Sequence, residues 1–594
     1  MSRSHRRVSA VFSRAADGVS NALWWLFVRF NRRVPAVFLV LLFVAKFSVD
    51  GALGLDFGGH WDEWYHVQGV LGCVQRMSLM PDALSYGGPY FTLGFPIVAA
   101  HEWKQLLAIV RDMRTQPGSM DPTSFPSVHE FKTATTALLG TGQYVLQVRG
   151  LFLAVSSLSI LWVFLAALKC WPRRYGAALA GAGFVAFSWE IGYHARWIAI
   201  DVPLTQFCAL ELFFFCGAWR AWNSAATTRW FCAAAAAAGA VFACKLTGLF
   251  AVLPIIVTPF LRPGYATLRA RTALAALGVA VFILVSFALS PEFYVDPLHF
   301  FHVIRSGTAD YNTSGPSYPF YVGFLEHALR LLLWFYGAVP SPFVPVAALF
   351  SVVGLVGFAT LLRRDTRMTL AWLAFMVSFI FVFAHNHLMI VRQYLMCTPF
   401  LALCFARGSA VVWDFLRLRD RRLAGAFVLV VAGGFLANAV FESRNAWRVT
   451  RDTLASVDDA AAADLLADAR PVRLSPPVRD RLSARLGAAY TCHKSDLKDK
   501  RVTHFIAYQS EHAWMTNRLG AFRKVYGAPE VNLDYYSSWS GRSLSFRLVD
   551  VSMDVMTKLG REMAGDFDCF PTGQPGPRPG PSGAAGAGGG RLSH

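Results

Sequence analysis

Long apolar runs separated by clusters of basic residues constrain this chain more than any other feature of its sequence. Several runs reach about 18 predominantly apolar residues or more, the length that an α-helix needs to cross the hydrocarbon core of a bilayer. Of the 594 residues, 55% are hydrophobic and only 16% are charged, a composition too apolar for a soluble protein of this size. The sequence therefore predicts a polytopic α-helical membrane protein.

The formal net charge of +19 does not indicate a nucleic-acid-binding protein. Lys and Arg form no single patch, but fall in short clusters between the apolar runs, as topology determinants do. The basic amino terminus, residues 1–33, is placed in the cytoplasm by the positive-inside rule. We expect a multi-pass protein of the cell (inner) membrane, without a nucleic-acid partner.

The apolar runs and basic clusters together predict about eleven spans within a transmembrane domain of residues 34–441. The first span leads into a large outer loop, 56–145. Residues 230–261 have basic residues at both ends, so we interpret them as two short spans with Lys245 at the outer turn. The remaining predicted spans are 34–55, 149–168, 176–193, 202–219, 272–289, 343–362, 369–383, 388–405 and 423–441.

Two soluble elements are predicted outside the spans. In the outer loop, residues 101–114 place apolar side chains at helical spacing opposite basic ones, a pattern typical of a helix that lies in the membrane interface. The alternative is that this apolar stripe packs on the protein's own spans. Residues 442–570 are predicted to form a small outer α/β domain, with strands at 502–508, 531–536 and 544–551. We expect the tail, 571–594, to be disordered.

An acidic pair, Asp62 and Glu63, follows the first span inside the sequence Trp61-Asp-Glu-Trp-Tyr-His66. If that span enters from the cytoplasm, both carboxylates lie just above the outer surface of the bilayer. A carboxylate there can take a proton from an acceptor hydroxyl while a lipid-held donor lies in the membrane beside it. The ordinary alternative is that Asp62 caps a short helix, with Glu63 favourable in its first turn.

Four basic residues lie near the outer ends of different predicted spans: Arg149, Arg196, Lys245 and Arg392. Each has an ordinary alternative, because long basic side chains reach toward the interface, and Arg196 could pair with Asp201. Together with the acidic pair they indicate a site that binds an anion beside a base. A lipid phosphate meets that description, since cations that stabilise a departing phosphate can replace a general acid.

Several motifs resemble the glycosyltransferase C superfamily, which contains protein O-mannosyltransferases, their bacterial relatives and aminoarabinose transferases. The stretch Trp61-Asp-Glu-Trp-Tyr-His66 is similar to the Asp-Glu motif in the first outer loop of the O-mannosyltransferases. The resemblance runs in order over residues 30 to 440 and departs at Gln393, which separates the arginine and the tyrosine of the last motif. The other matching stretches are Arg149-Gly-Leu-Phe-Leu, Ala195-Arg-Trp-Ile-Ala-Ile-Asp201-Val-Pro-Leu, Lys245-Leu-Thr-Gly-Leu and Arg392-Gln-Tyr-Leu-Met-Cys-Thr-Pro.

The resemblance implies transfer of a sugar from a polyprenyl-phosphate donor to a hydroxyl acceptor, with inversion at the anomeric carbon. Asp62 would be the base, and Glu63 would orient the acceptor or the donor. The acceptor, which is protein, lipid or glycan, stays open. So does a divalent metal near the acidic loop, and we predict no other cofactor. The residues expected to bind substrate or phosphate are Arg149, Arg196, Asp201, Lys245, Arg392, His66 and Glu102.

Two other functions compete with this prediction. Glu211 lies in the middle of the fourth predicted span, where an ionisable residue is a functional candidate, so a secondary transporter is the first alternative. The sequence shows no inverted repeat and no matched pair of broken helices in its support. A membrane-bound sensor or scaffold is the second alternative, which uses the outer domain but leaves the charged residues unexplained.

Overall fold

The computed structural model describes most of the helical part of the chain and six strands of its carboxyl-terminal part. The described ranges are 33–47, 61–81, 86–116, 122–195, 197–221, 224–262, 267–305 without 299 and 303, 339–385 and 391–452, with a few residues between 324 and 332 and the strands given below. The helices up to Asp452 belong to one compact unit, and most of the strands belong to a second.

The first unit is built from helices that follow one another with short connections. Helix α10 packs on α7 and α11, and α15 packs on α17. Glycines allow the last contact, since a Cβ on Gly357 would lie 1.8 Å from the Cys404 carbonyl oxygen. The helices are α1 Arg33–Phe47, α2 Trp61–Arg76, α3 Gly88–Thr92, α4 Phe95–His101, α5 Trp103–Thr115, α6 Pro126–Leu139, α7 Gly142–Cys170, α8 Tyr175–Ala186, α9 Trp189–Ala195, α10 Asp201–Arg220, α11 Ser224–Cys244, α12 Val252–Leu261, α13 Leu268–Leu289, α14 Glu292–Val295, α15 Val344–Arg364, α16 Thr366–Phe383, α17 Thr398–Arg419 and α18 Arg421–Asp452, with 3-10 turns at Pro122–Ser124, Leu246–Ala251 and Val391–Cys397.

Seven stretches in these helices are long and apolar enough to cross a membrane, within the part of the chain that the structure describes. Three shorter apolar helices accompany them, at Pro35–Phe47, Tyr175–Ala186 and Leu246–Leu261. The chain is therefore a multi-pass membrane protein, as its composition predicts. The count of eleven spans and the orientation of the bundle stay predictions.

The predicted break at Lys245 is present in the structure. Helix α11 ends at Cys244, and Lys245 adopts an extended backbone with φ −160° and ψ 145°. A 3-10 turn, Leu246–Ala251, follows, and the Gly248 amide donates to the Lys245 carbonyl at 2.8 Å. The run 230–261 is thus two helical pieces joined at a lysine.

Helix ends differ from the predicted span ends in ways that local chemistry explains. Helix α7 begins at Gly142, ahead of the predicted 149, because the Thr141 side chain accepts a hydrogen bond from the Tyr144 amide and caps it. Helix α18 continues past the predicted boundary at 442 to Asp452, so the outer-domain limit that we placed at Glu442 falls inside a helix.

The apolar stripe of the outer loop is exposed rather than packed on the spans. Helix α5 covers the predicted helical stretch, and Ile109 is its buried residue. Four of its large apolar side chains are about half exposed, Trp103 52%, Leu107 55%, Val110 44% and Met113 50%, whereas Leu106 is partly buried against the core. This exposure favours the interfacial prediction over packing against the protein's own helices.

The second unit contains a six-stranded sheet with strand order β1-β5-β4-β6-β3, and β2 also pairs with β4. Strands β1 and β5 are parallel, whereas β3–β6, β4–β6 and β2–β4 are antiparallel. The predicted strands at 502–508 and 544–551 correspond to β4 and β5. The α/β character and the outer location stay predictions, and residues 531–536 and the tail 571–594 lie outside the described residues. The strands are β1 Ser456–Val457, β2 Arg470–Pro471, β3 Tyr490–Cys492, β4 His504–Ser510, β5 Leu544–Asp550 and β6 Phe567–Phe570.

Candidate functional site

The acidic pair lies in the first turn of helix α2, which begins at Trp61. The backbone of Asp62 is described, and its side chain lies outside the described residues. Glu63 is buried, with 5% of its surface exposed. The two adjacent carboxylates therefore occupy the first turn of a helix, where the helix dipole favours negative charge.

Glu63 forms a buried bidentate ion pair with Arg149 of helix α7. The Arg149 Nε donates to Glu63 Oε1 at 2.7 Å, and its Nη2 donates to Oε2 at 2.6 Å. The Ile198 amide also donates to Oε1, at 3.1 Å, and the Trp197 ring lies 4.8 Å from the guanidinium carbon. The pair thus joins α2, α7 and the segment before α10 through groups that are hidden from solvent.

This geometry changes the roles that the sequence indicated for both residues. Arg149 is fully buried, and its charge is balanced by a carboxylate that belongs to the protein. Glu63 accepts three hydrogen bonds from protein donors, which is a positioning role for α2. Direct contact of Glu63 with substrate, and direct contact of Arg149 with phosphate, are therefore less favoured than their mutual pairing.

A second buried ion pair lies at the same end of the bundle, where helix α10 begins and α11 ends. Lys245 Nζ donates to Asp201 Oδ1 at 2.9 Å, and the Tyr86 ring centroid lies 5.8 Å from the same nitrogen. The sequence offered Arg196 as a partner for Asp201; Arg196 lies outside the described residues, so that pairing stays a prediction beside the observed contact with Lys245. Asp201 is fully buried, whereas Lys245 keeps 8% of its surface exposed.

The position of Lys245 is fixed by a close approach of three chain segments. The Gly87 amide donates to the Cys244 carbonyl at 3.0 Å, and the Ser290 hydroxyl donates to the Ala243 carbonyl at 2.7 Å. A Cβ on Gly87 would lie 1.7 Å from the Ala243 oxygen, so this position requires glycine. The outer loop and the end of α13 thus hold the residues that precede Lys245.

His66 is fully buried in an aromatic environment. Its Nε2 lies 3.3 Å from the Tyr144 hydroxyl, and its ring contacts Tyr90, Phe91 and Phe152. Burial lowers the pKa of His66 to about 3, so the imidazole is neutral at physiological pH. The expectation that His66 binds substrate or phosphate stays a prediction, and the buried, neutral ring favours a packing role over a direct contact with an anion.

The structure describes the other predicted site residues only in part. Glu102 is the residue before helix α5 and is largely buried, and none of the described contacts joins its carboxylate to either ion pair. Arg196 lies outside the described residues. The backbone of Arg392 lies in the 3-10 turn Val391–Cys397, and its side chain lies outside the described residues.

Glu292 is a buried carboxylate that the sequence analysis did not name. It follows the apolar helix α13 directly, is 6% exposed, and neither of its oxygens has a hydrogen-bond partner of ordinary geometry among the described residues. Nearby donors are engaged, since the Gly88 amide donates to Ser290 Oγ at 2.7 Å and Ser290 donates onward. Burial raises the pKa of Glu292. The sequence could have indicated Glu292 as a candidate site residue, because it is a carboxylate that follows shortly after the predicted span 272–289.

Metal binding was left open by the sequence and stays open. Within the described ranges, no three His, Cys, Asp or Glu side chains lie close enough to hold a metal ion. The Asp62 side chain lies outside the described residues, so the acidic pair stays open as a ligand set.

Comparison with solved structures finds membrane enzymes of one kind. ArnT from Cupriavidus metallidurans bound to undecaprenyl phosphate matches 74% of this chain and 81% of its own, with 14% identity and a TM-score of 0.43. The Archaeoglobus fulgidus oligosaccharyltransferase in complex with Zn and sulfate matches 72% of this chain and 56% of its own, with 15% identity and a TM-score of 0.43. The S. cerevisiae O-mannosyltransferase Pmt1-Pmt2 complex bound to the sugar donor matches 48% of this chain and 35% of its own, with 16% identity and a TM-score of 0.29.

The structure neighbours are glycosyltransferases. A protein O-mannosyltransferase complex, from the group that the sequence motifs resemble, is among them. No family model matches the chain, and no curated protein matches it. Because the TM-scores lie below 0.5, the chemistry proposed below rests on the side chains of this chain.

Proposed function

We propose that this protein is a membrane glycosyltransferase that moves a sugar from a polyprenyl-phosphate donor to a hydroxyl acceptor on the outer face of the membrane. Asp62 is the general base that deprotonates the hydroxyl, and the reaction inverts the anomeric carbon. The donor is a ligand of the class seen with the ArnT neighbour, whose structure was determined with undecaprenyl phosphate bound. The acceptor is a protein, a lipid or a glycan.

The observation that carries the proposal is the bidentate Glu63–Arg149 pair. It fixes the first turn of α2 against α7 through two short bonds, at 2.7 and 2.6 Å. Glu63 is occupied by this contact, which leaves Asp62 as the carboxylate of the motif that can exchange a proton with substrate. A base must be held in place to work, because misplacement of a catalytic group lowers the rate steeply.

The donor phosphate needs cations, and the buried pairs limit which side chains supply them. Arg149 is balanced by Glu63, and Lys245 is shared with Asp201 but retains some exposure. We assign the phosphate to Lys245, Arg196 and Arg392. Arg196 directly precedes Trp197 and Ile198 in the sequence, and those two residues contact the Glu63–Arg149 pair. Cations at the leaving phosphate stabilise the charge that develops as the glycosidic bond breaks.

A secondary transporter is the second candidate, and one observation favours it. Glu211 lies within α10, is 1% exposed, and its Oε1 has no hydrogen-bond partner among the described residues. A buried carboxylate at membrane depth is typical of ion or proton pathways. Glu211 lies ten residues along α10 from Asp201, about 15 Å at the rise of an α-helix, so it does not belong to the paired site.

Donor turnover separates the two candidates. Purified protein in nanodiscs is given polyprenyl-phosphate sugars labelled in the sugar, together with an extract of its own cell envelope as acceptor. The proposal predicts release of free polyprenyl phosphate, with the label appearing in the acceptor fraction, and little effect of Glu211→Gln. Absence of lipid-phosphate release over a panel of donors, with loss of ion-coupled uptake in Glu211→Gln vesicles, would favour the transporter instead.

A further inference from the structure

A cavity of about 440 Å³ lies between helices α1, α8, α17 and α18, at the end of the bundle opposite the two buried ion pairs. Helix α7 shows this separation, because Arg149 is near its beginning, whereas the cavity is lined by residues that follow its end at Cys170. The volume falls in the range of small-molecule sites, about 300 to 1,000 Å³. The cavity is therefore a separate site from the one proposed for catalysis.

Most of the cavity wall is apolar. Apolar side chains of α1, α8, α17 and α18 form it. The apolar lining includes Phe38, Leu42, Leu179, Phe427, Val431 and Phe435. A wall of this kind fits a hydrocarbon chain and excludes a free phosphate or a nucleotide as the main occupant.

Three arginines line the same cavity: Arg173 and Arg174 in the turn between α7 and α8, and Arg417 in the last turn of α17. Arg174 forms an exposed ion pair with Asp414 at 2.8 Å. Arg173 and Arg417 have no ion-pair partner among the residues that the structure describes. The cavity thus joins an apolar wall to two guanidinium groups whose charge the described side chains leave unbalanced.

The backbone of Arg173 is a second, independent observation. Its φ of 71° lies in the left-handed region, which non-glycine residues seldom adopt. A glycine would fit this turn without strain, so the presence of arginine is not explained by the turn itself. A requirement for its guanidinium at the cavity explains why an arginine occupies this position.

We propose that this cavity binds an anionic glycerophospholipid, with its headgroup phosphate on Arg173 and Arg417 and one acyl chain along the apolar wall. Charge complementarity decides between lipids, because a zwitterionic headgroup places a compensating cation among the arginines. Basic pockets between membrane helices are known binding places for anionic headgroups. The proposal does not depend on the glycosyltransferase activity, and it goes beyond the ordinary role of arginines as topology determinants.

Native mass spectrometry of the full-length protein tests the proposal. The probes are phosphatidylglycerol and phosphatidylcholine with the same acyl chains, added in competition to delipidated protein. The wild type should retain phosphatidylglycerol preferentially. Each arginine near a lipid surface contributes about 1 kcal/mol, so Arg173→Gln with Arg417→Gln should weaken phosphatidylglycerol binding roughly 30-fold and leave phosphatidylcholine unchanged.

Two further variants keep the test decisive. Arg269→Gln, an exposed arginine in the first turn of α13 that does not line the cavity, is the matched control and should bind like the wild type. Ala432→Phe fills the exposed side of the cavity without removing charge and should lower retention of both lipids. Equal binding of the two lipids by the wild type would overturn the proposal. So would an equal loss in Arg269→Gln, or phosphatidylglycerol retention that is unchanged in the Arg173→Gln with Arg417→Gln variant.

Discussion

The two ends of the helical bundle carry charged residues in opposite ways. At one end, Glu63–Arg149 and Asp201–Lys245 are buried ion pairs that join elements distant along the chain. At the other, Arg174–Asp414 and Arg220–Asp365 are more exposed, with the arginines 50% and 37% exposed. Helix α10 runs from Asp201 to Arg220, about 30 Å, and so separates the two ends by about the thickness of a bilayer core.

This difference indicates what each end is for. Exposed ion pairs typically contribute only about 0 to 1 kcal/mol, and basic residues in such positions serve mainly to set topology. Burying a charge is costly unless it is paired with good geometry, so a buried pair is seldom kept for stability alone. The site that we propose lies at the buried end, and we expect the charges of the exposed end to set the topology of the bundle.

Breaking the Glu63–Arg149 pair should have the largest effect on stability. Arg149→Met leaves a buried, uncompensated carboxylate, which typically costs about 3 to 5 kcal/mol. We expect a lower midpoint of thermal unfolding in detergent, measured by intrinsic fluorescence. The double variant Glu63→Leu with Arg149→Met should recover most of that loss, since both charges are then removed. A midpoint unchanged in Arg149→Met would contradict the role assigned to this pair.

Removing the cation at Lys245 should affect transfer as much as folding. Lys245→Met should lower the rate of donor turnover by about 10²- to 10³-fold, the usual cost of losing one electrostatic contact at a reacting centre. Asp201→Asn with Lys245→Met removes both charges and should restore stability without restoring the rate. If the double variant regains activity, Lys245 serves only to neutralise Asp201.

The protonation of His66 gives the buried end a distinct pH dependence. The pKa of His66 in the folded protein is about 3, below the ordinary value of 6.5, so the unfolded chain binds more protons between these values. Stability should therefore fall as the pH drops from about 6.5 toward 3, by about 3 kcal/mol at pH 4. His66→Phe should flatten this dependence in unfolding experiments at pH 7, 5.5 and 4. If His66→Phe loses as much stability as the wild type over this pH range, other titrating groups cause the pH dependence.

The exposed end should respond least. Arg220, at the carboxyl end of α10, is 37% exposed and pairs with Asp365. Arg220→Gln removes this pair and should change the free energy of unfolding by less than about 1 kcal/mol. Its donor turnover should match the wild type. A destabilisation comparable to that of Arg149→Met would mean that the two ends do not differ as described.

The sequence predicted the features that depend on composition and local spacing. Hydropathy predicts the apolar helices. A basic residue between two short apolar runs predicts the break at Lys245. The spacing of Trp103, Leu107 and Val110 predicts the amphipathic helix α5. The exposure of that stripe could not be read from the pattern, because packed and interfacial helices share the same spacing.

Pairing of the charged residues could not be predicted in the same way. Glu63 and Arg149 are 86 residues apart, and Lys245 and Asp201 are 44 apart, so their contacts depend on how the helices pack. The sequence also left Arg196 open as a partner for Asp201. It made His66 a candidate site residue, but only the packed helices show that Tyr90, Phe91 and Phe152 surround its ring.

The most direct test of the proposed mechanism is the rate at which Asp62→Asn releases polyprenyl phosphate from the sugar donor, relative to the wild type. Asn keeps the size of the side chain but cannot accept a proton at neutral pH, so we predict a loss of about 10²-fold or more with donor binding retained. Asp112→Asn, on helix α5 of the same loop, is the matched control and should keep near wild-type turnover. An Asp62→Asn protein that transfers sugar at the wild-type rate would contradict the assignment of Asp62 as the base.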